Sequence, residues 1–178
     1  MNRISLIEGF LCKEEVASLY KIAKNFTAWE TRGNKFWDGR VCDIFAGFPD
    51  WLGKYITEGI KDRIAKKYED LFPTGIYYDT LDLVKWSVGS KQSPHQDNIP
   101  EKHRLVGCVI YLNDDFSGGE TYYPNLGVSV KPVAGNMALH LGDEEHLHGV
   151  TEVVGNDRFT ISSFWGTDHP KAHYSLKT

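Results

Sequence analysis

The sequence predicts an α+β chain, mainly β, in which a jelly-roll core follows a set of N-terminal helices packed outside it. Three observations lead there. Apolar residues at helical spacing mark the first 75 residues. From residue 76 onward short runs of alternating character are separated by glycine-rich turns. The composition, with five Trp, nine Tyr, nine Phe and 17 Gly, suits pleated surfaces and tight turns better than a helical bundle. At 178 residues the chain has the length of one ordinary domain. We therefore expect a single unit over 1–178: helical support and a lid in 1–75, the core in 76–166, and a loosely held tail in 167–178.

The elements follow in order. Leu6, Ile7 and Phe10 suit a short strand. "CKEEVASLYKIAKNF" carries Val16, Leu19, Tyr20, Ile22 and Ala23 at helical spacing, with Glu14 and Glu15 at the end that the helix dipole favours for acids. Cys12 stands where Ser or Thr would be the expected cap. A second helix is predicted from about Asp50, as N-cap, to about Leu71. Its buried stripe is Trp51, Tyr55, Ile56, Ile60 and Ile64, and Pro73-Thr74-Gly75 stops it. Between the helices "WETRGNKFWDGRVCDIFAGF" lacks a period and reads as a loop or hairpin covering something. The strand runs are "IYYDTLDLVKWSVG", "RLVGCVIYLN", "ETYYP", "GVSVKP", "GNMALHLG" and "RFTISSFWG". They are joined by "NDDFSGG", "PNLG", "PVAG" and "VVGND".

Charge and cysteine use narrow the classes of function. A net charge of −4 argues against a protein that coats phosphate backbones, so no nucleic-acid partner is expected. Cys12, Cys42 and Cys108 are scattered without CxxC spacing and read as reduced thiols. The N-terminus has too short an apolar run for export, and no segment reaches the ~18 apolar residues of a span. A cytoplasmic protein without a membrane partner is the expectation.

Chemistry concentrates in two segments. "SPHQDNIP" places His95 and Asp97 at i and i+2, which in an extended chain share a face. About fifty residues on, "HLHGVTEVVGNDRFTISSFW" supplies His146 and His148, either of which could be a third ligand from another strand. Two His and one carboxylate on one side of a metal leave three positions open, the arrangement of non-haem Fe(II) oxygenases. A closed four-ligand zinc site would leave none. Arg158 opens an apolar strand in which Thr160, Ser162 and Phe164 alternate onto its face. An inward arginine costs several kcal/mol unless it meets an anion. That anion is either a protein carboxylate at the rim or a dicarboxylate ligand gripped through a bidentate fork.

"KWSVGSKQSPHQDN", "CVIYLNDDFSGGETYYP", "KPVAGNMALHL" and "HGVTEVVGNDRFTISSFW" together resemble, in content and order, the prolyl 4-hydroxylase-like branch of the 2-oxoglutarate/Fe(II)-dependent dioxygenases. The resemblance covers roughly 76–166, and "IEGFLCKEEVASLY" also looks like that family's entry helix. It implies a double-stranded β-helix core with His95, Asp97 and His148 as the iron ligands. His148 is favoured over His146 because it lies ten residues before Arg158. Arg158 and Tyr111 are then the partners of the distal carboxylate of 2-oxoglutarate, and Thr121 and Ser162 line its pocket. Trp86 stands where the family often has Tyr, which alters either the co-substrate contact or the substrate face. His140 occupies a position usually held by Phe and is read as a satisfied barrel histidine. The implied reaction uses Fe(II), 2-oxoglutarate and O2, with ascorbate as an accessory reductant, and yields succinate, CO2 and a hydroxylated carbon. Asp97 favours hydroxylation, since halogenating relatives need a small residue there. The implied substrate is a proline-containing peptide or protein, with residues 31–41 as a lid and Trp37, Trp86 and Tyr122 as aromatic contacts. The alternatives are a free amino acid or other small molecule, or a non-catalytic binding module on the same barrel.

Overall fold

The computed structural model describes residues 4–31, 40–43, 50–71, 76–99 and 103–166. The tail 167–178, Trp37, the stop at 73–75 and most of the lid segment lie outside these residues. Strand β1 (Ile4–Ile7) precedes helix α1 (Lys13–Asn25). β2 (Glu30–Thr31) and β3 (Arg40–Asp43) pair antiparallel, so the segment read as a loop or hairpin does form one. The second helix, α2 (50–71), runs through Asp50–Tyr55 and Asp62–Leu71, with a π-helical turn at Ile56–Lys61 between them.

The strands of the core are β4 (Tyr77–Trp86), β5 (Gln92–His95), β6 (Arg104–Tyr111), β7 (Ser117–Gly118), β8 (Thr121–Tyr123), β9 (Val128–Val130), β10 (Met137–Leu141), β11 (His148–Val150), β12 (Val153–Val154) and β13 (Arg158–Gly166). They form a seven-stranded sheet β1-β10-β6-β13-β4-β3-β2, a four-stranded sheet β5-β11-β8-β9, and the pair β12-β7. All pairings are antiparallel, as in the jelly roll expected.

Period two in the large sheet decides where everything sits. Val106, Cys108 and Ile110 of β6, Met137 and Leu139 of β10, and Phe159, Ile161 and Trp165 of β13 pack with Leu19 and Ala23 of α1 and with α2. The intervening residues Tyr111, Ala138 and Val84 pack instead against Tyr123, Val130, Val150 and Val153 of the smaller strands. One face is therefore a helix-covered apolar core. The other faces the second sheet and carries Arg158, Thr160, His140 and Tyr111.

The stripe of α2 differs from the expectation. Its buried apolar residues are Leu52, Ile56, Ile60, Ile64 and Tyr68, whereas Trp51 is 67% exposed and Tyr55 41%. Apolar residues every fourth position drift round an α-helix, which turns about 100° per residue. The π turn, bonded i→i+5, turns the chain less per residue and opposes that drift, keeping Ile56, Ile60 and Ile64 on one line.

Candidate metal and co-substrate site

Three short-range devices bring His95, Asp97 and His148 together. His95 ends β5 and His148 begins β11, and the two are direct cross-strand partners with ring centroids 4.5 Å apart. Asp97 is not on the strand, contrary to the same-face argument. It lies in the turn that follows β5. The Asn98 N–H donates to the Gly142 carbonyl at 3.1 Å, tying that turn to the end of β10 and folding Asp97 back over the large sheet. Gly107 of β6 makes the room: a Cβ there would stand 2.6 Å from Asp97 Oδ2.

Asp97 Oδ1 lies 3.5 Å from His95 Nε2 and 3.7 Å from His148 Nε2, and the three donor atoms all fall within 4.8 Å of one another. Ligands about 2.1 Å from a metal and at right angles to each other are about 3 Å apart, so small adjustments suffice to close on an ion. Among the described residues this is the one such trio. His148 donates from Nδ1 to the His146 carbonyl at 3.0 Å, which leaves the Nε2 lone pair facing Asp97. Burial pushes the His148 imidazole down to about 3, so it is neutral. Burial also opposes the Asp97 charge, but His148, His140 and His95 around it prevail and hold its carboxyl well below the usual carboxylate range. A carboxylate with two imidazoles is a donor set that suits ferrous iron. His146, the other histidine in question, is turned away: its Nδ1 lies 2.6 Å from Asp143 Oδ1.

A second cluster sits on the same face of the large sheet. Arg158 is 1% exposed, its guanidinium carbon 5.3 Å from the Trp86 ring and 5.4 Å from the Tyr111 ring. Tyr111 and Thr121 join the two sheets through their hydroxyls at 3.0 Å, and Arg158 Nη2 reaches Thr121 Oγ1 at 3.5 Å. Among the described residues Arg158 forms no ion pair, and its Nε and the Thr160 hydroxyl beside it on the strand face are buried without a partner. The protein-carboxylate alternative for Arg158 thus finds no support among these residues. Burial lowers the guanidinium to about 10, which leaves it charged at neutral pH. Gly119 of "SGG" is needed here for two reasons. Its φ is +62°, and a Cβ would meet Arg158 Cδ at 2.9 Å and Phe116 at 2.7 Å. The site therefore pairs a metal-ligand trio with a buried cation and free hydrogen-bonding groups. Such a pocket fits a dicarboxylate that chelates a metal at one end.

Residues 81–166, which hold every one of these side chains, match the model of the 2OG-Fe(II) oxygenase superfamily. Over this segment the chain is similar to that superfamily. The chain is a dioxygenase that works with Fe(II), 2-oxoglutarate and O2 on a double-stranded β-helix core. Among its relatives, prolyl 4-hydroxylase 2 of Arabidopsis thaliana is 24% identical over 207 residues, which cover 93% of this chain and 68% of that protein. Probable prolyl 4-hydroxylase 11 of the same plant is 31% identical over 99 residues, 49% of this chain and 35% of its own length. In fold the chain is similar to a Trichoplax adhaerens prolyl hydroxylase solved with a hypoxia-inducible-factor peptide, with a TM-score of 0.79 at 19% identity, covering 94% of this chain and 84% of that one. A Pseudomonas putida prolyl-4-hydroxylase gives a TM-score of 0.75 at 18% identity, covering 93% of each chain.

The other expected oxygenase-site residues divide. Ser162 is half-buried on the wall between Arg158 and Phe164. Trp86 is 5% exposed and lies directly across the strand pair from Arg158. Tyr122 is half-buried against Gly149. Sequence reasoning missed Thr160, Tyr123 and the contacts of His140. Two signals pointed to them: Tyr123 is two residues from Thr121, and His140 is a polar residue in a wholly apolar strand, where a buried ring must find partners.

Among the described residues no helix is long and apolar enough to cross a membrane.

Proposed function

We propose that the chain hydroxylates prolyl residues of a peptide or protein, coupling that oxidation to the conversion of 2-oxoglutarate and O2 into succinate and CO2. The observation that carries this reading is the trio His95, Asp97 and His148 facing the same interior as the buried Arg158, which among the described residues pairs with no carboxylate. The prolyl substrate is supported by relatives and structural neighbours that are prolyl hydroxylases. Ferrous iron, when bound, supplies the activation of O2 at the expense of the co-substrate's keto acid. His95, Asp97 and His148 would hold it, presenting two neutral nitrogens and one anionic oxygen and leaving the opposite side open. Arg158 would grip the distal carboxylate of 2-oxoglutarate, with the Tyr111 hydroxyl donating to it and the Thr121 hydroxyl donating to Tyr111. Trp86 and Tyr111 sandwich the guanidinium and limit its rotamers, so the co-substrate meets a preformed clamp. Ser162 lines the wall beside it. The helices α1 and α2 serve as support for the 76–166 core. The cytoplasm is the compartment this reading favours, on the strength of the free thiols of Cys12 and Cys108.

The test is succinate release with Fe(II), ascorbate and 2-oxoglutarate over proline-containing peptides and free amino acids, with mass spectrometry of the product. Peptide-dependent succinate and a one-oxygen gain on proline are expected. Turnover with free amino acids alone would move the assignment to a small-molecule hydroxylase. Folded protein that binds Fe(II) and 2-oxoglutarate yet turns over nothing would indicate a non-catalytic module.

A further inference from the structure

His140 sits at a point in β10 where its neighbours Met137, Ala138 and Leu139 are buried, and it is itself only 2% exposed. A polar ring there is destabilising for each nitrogen left unsatisfied. Neither is. His140 Nε2 lies 3.0 Å from Asp97 Oδ2, and Nδ1 lies 2.9 Å from the Tyr123 hydroxyl. An ionised carboxylate can only accept, so Nε2 carries the hydrogen, and Nδ1 shares a hydrogen bond with the Tyr123 hydroxyl. The chain Tyr123 to His140 to Asp97 passes from β8 in one sheet, through β10 in the other, to the turn after β5.

Asp97 thereby divides its two oxygens. Oδ2 is taken by His140, while Oδ1 alone faces His95 Nε2 and His148 Nε2. Gly107 holds the space open for this pair, because a Cβ there would also stand 3.0 Å from His140 Nε2. We infer that His140, oriented by Tyr123, is a positioning residue that reserves Asp97 Oδ2, so that the carboxylate offers a metal one oxygen and not two. A second carboxylate oxygen on the metal would occupy one of the three positions that the co-substrate and O2 require. This inference rests on the reading of His95, Asp97 and His148 as ligands and adds a determinant that their identity does not contain.

Anaerobic titration with Co(II) tests it, read both as affinity and as the ligand-field absorption spectrum, on protein whose apo melting curve is intact. His140→Phe keeps a flat ring and loses the donor; it is expected to weaken Co(II) binding about 10-fold or more and to change the spectrum. His140→Gln can still donate an amide hydrogen to Oδ2 and is expected to recover most of the affinity. Tyr123→Phe, which frees the ring to choose its tautomer, should fall between. Wild-type binding and spectrum in His140→Phe overturn the inference, as do Phe and Gln variants impaired alike, which would mean lost packing. Should His140→Phe fail to fold, Tyr123→Phe decides: a changed spectrum with weaker binding supports the inference, and wild-type behaviour overturns it. Wild-type protein that takes up no Co(II), or His148→Ala that binds it undiminished, overturns the ligand assignment and this inference with it. Undiminished binding in His140→Phe alone leaves that assignment standing.

Discussion

His146 and His148 stand two residues apart and are both buried, yet their rings are committed differently. The His146 ring is held by Asp143 outside the trio, while its carbonyl fixes the His148 tautomer. His148→Ala is therefore expected to abolish turnover and to cost about 100-fold or more in metal affinity, more than the loss of a residue that only orients a ligand. His146→Ala should retain most of both, since the backbone carbonyl that orients His148 survives the substitution. Turnover and Co(II) titration of the two variants check this, and the reverse ranking would mean that β11 sits in another register. Residue types alone could not separate the two histidines; only the spacing to Arg158 within a family pattern did. The part of His140 was illegible for a related reason. A lone histidine in an apolar strand has the same appearance in sequence whether it closes on a backbone carbonyl or on Asp97. Its partner lies 43 residues away, in a turn whose path no local pattern records.

At the scale of elements, the joint between α1 and α2 is made by Glu15. Its carboxylate accepts from the Cys12 N–H at 2.9 Å, the Tyr55 hydroxyl at 2.8 Å and Arg63 Nη2 at 2.8 Å, while Arg63 Nη1 also reaches the Phe10 carbonyl at 3.2 Å. The cysteine cap is thus served by the backbone half of a capping box. Burial would raise the Glu15 carboxyl, but these three donors prevail and hold it below its ordinary value of 4.5. A carboxyl depressed by folding adds stability above its unfolded value and loses it as pH falls through the folded one. Glu15→Gln is accordingly expected to melt lower near neutral pH by a few degrees, about 1 kcal/mol for a partly exposed site. The gap to wild type should close below about pH 4.5, and a gap independent of pH in thermal melts would rule the charge out as its cause. The two helices were legible because each repeats its apolar spacing over several turns. Trp51 and Tyr55 were misassigned because the π turn cannot be seen in sequence and changes which residues face inward. β5, β7, β11 and β12 were equally hidden. None exceeds four residues, too short to display a period, and β5 contains Pro94, tolerated because β5 lies at the edge of its sheet.

At the scale of the whole molecule, the sandwich distributes its chemistry across a seam. His95 and His148 belong to the small sheet, Arg158 and Tyr111 to the large one, and Asp97 to a turn laid over β10. A metal on the trio therefore fastens β5, β11 and the turn. A dicarboxylate reaching from that metal to Arg158 fastens one sheet to the other. Each ligand that binds only the folded state stabilises by mass action, about 2.7 kcal/mol at 100 times its Kd, or about 5–10 °C for a chain of this size. Because 2-oxoglutarate needs both ends of the seam, its increment is expected to be larger with Mn(II) present than without, in excess of a simple sum. Arg158→Met should keep the Mn(II) shift and lose the additional 2-oxoglutarate shift, whereas His148→Ala should lose both. Thermal melts of the three proteins with Mn(II), 2-oxoglutarate and the two combined read this directly. Equal increments of 2-oxoglutarate with and without Mn(II) would mean that the two ends bind separate ligands, and Arg158 would then have to answer to a different anion.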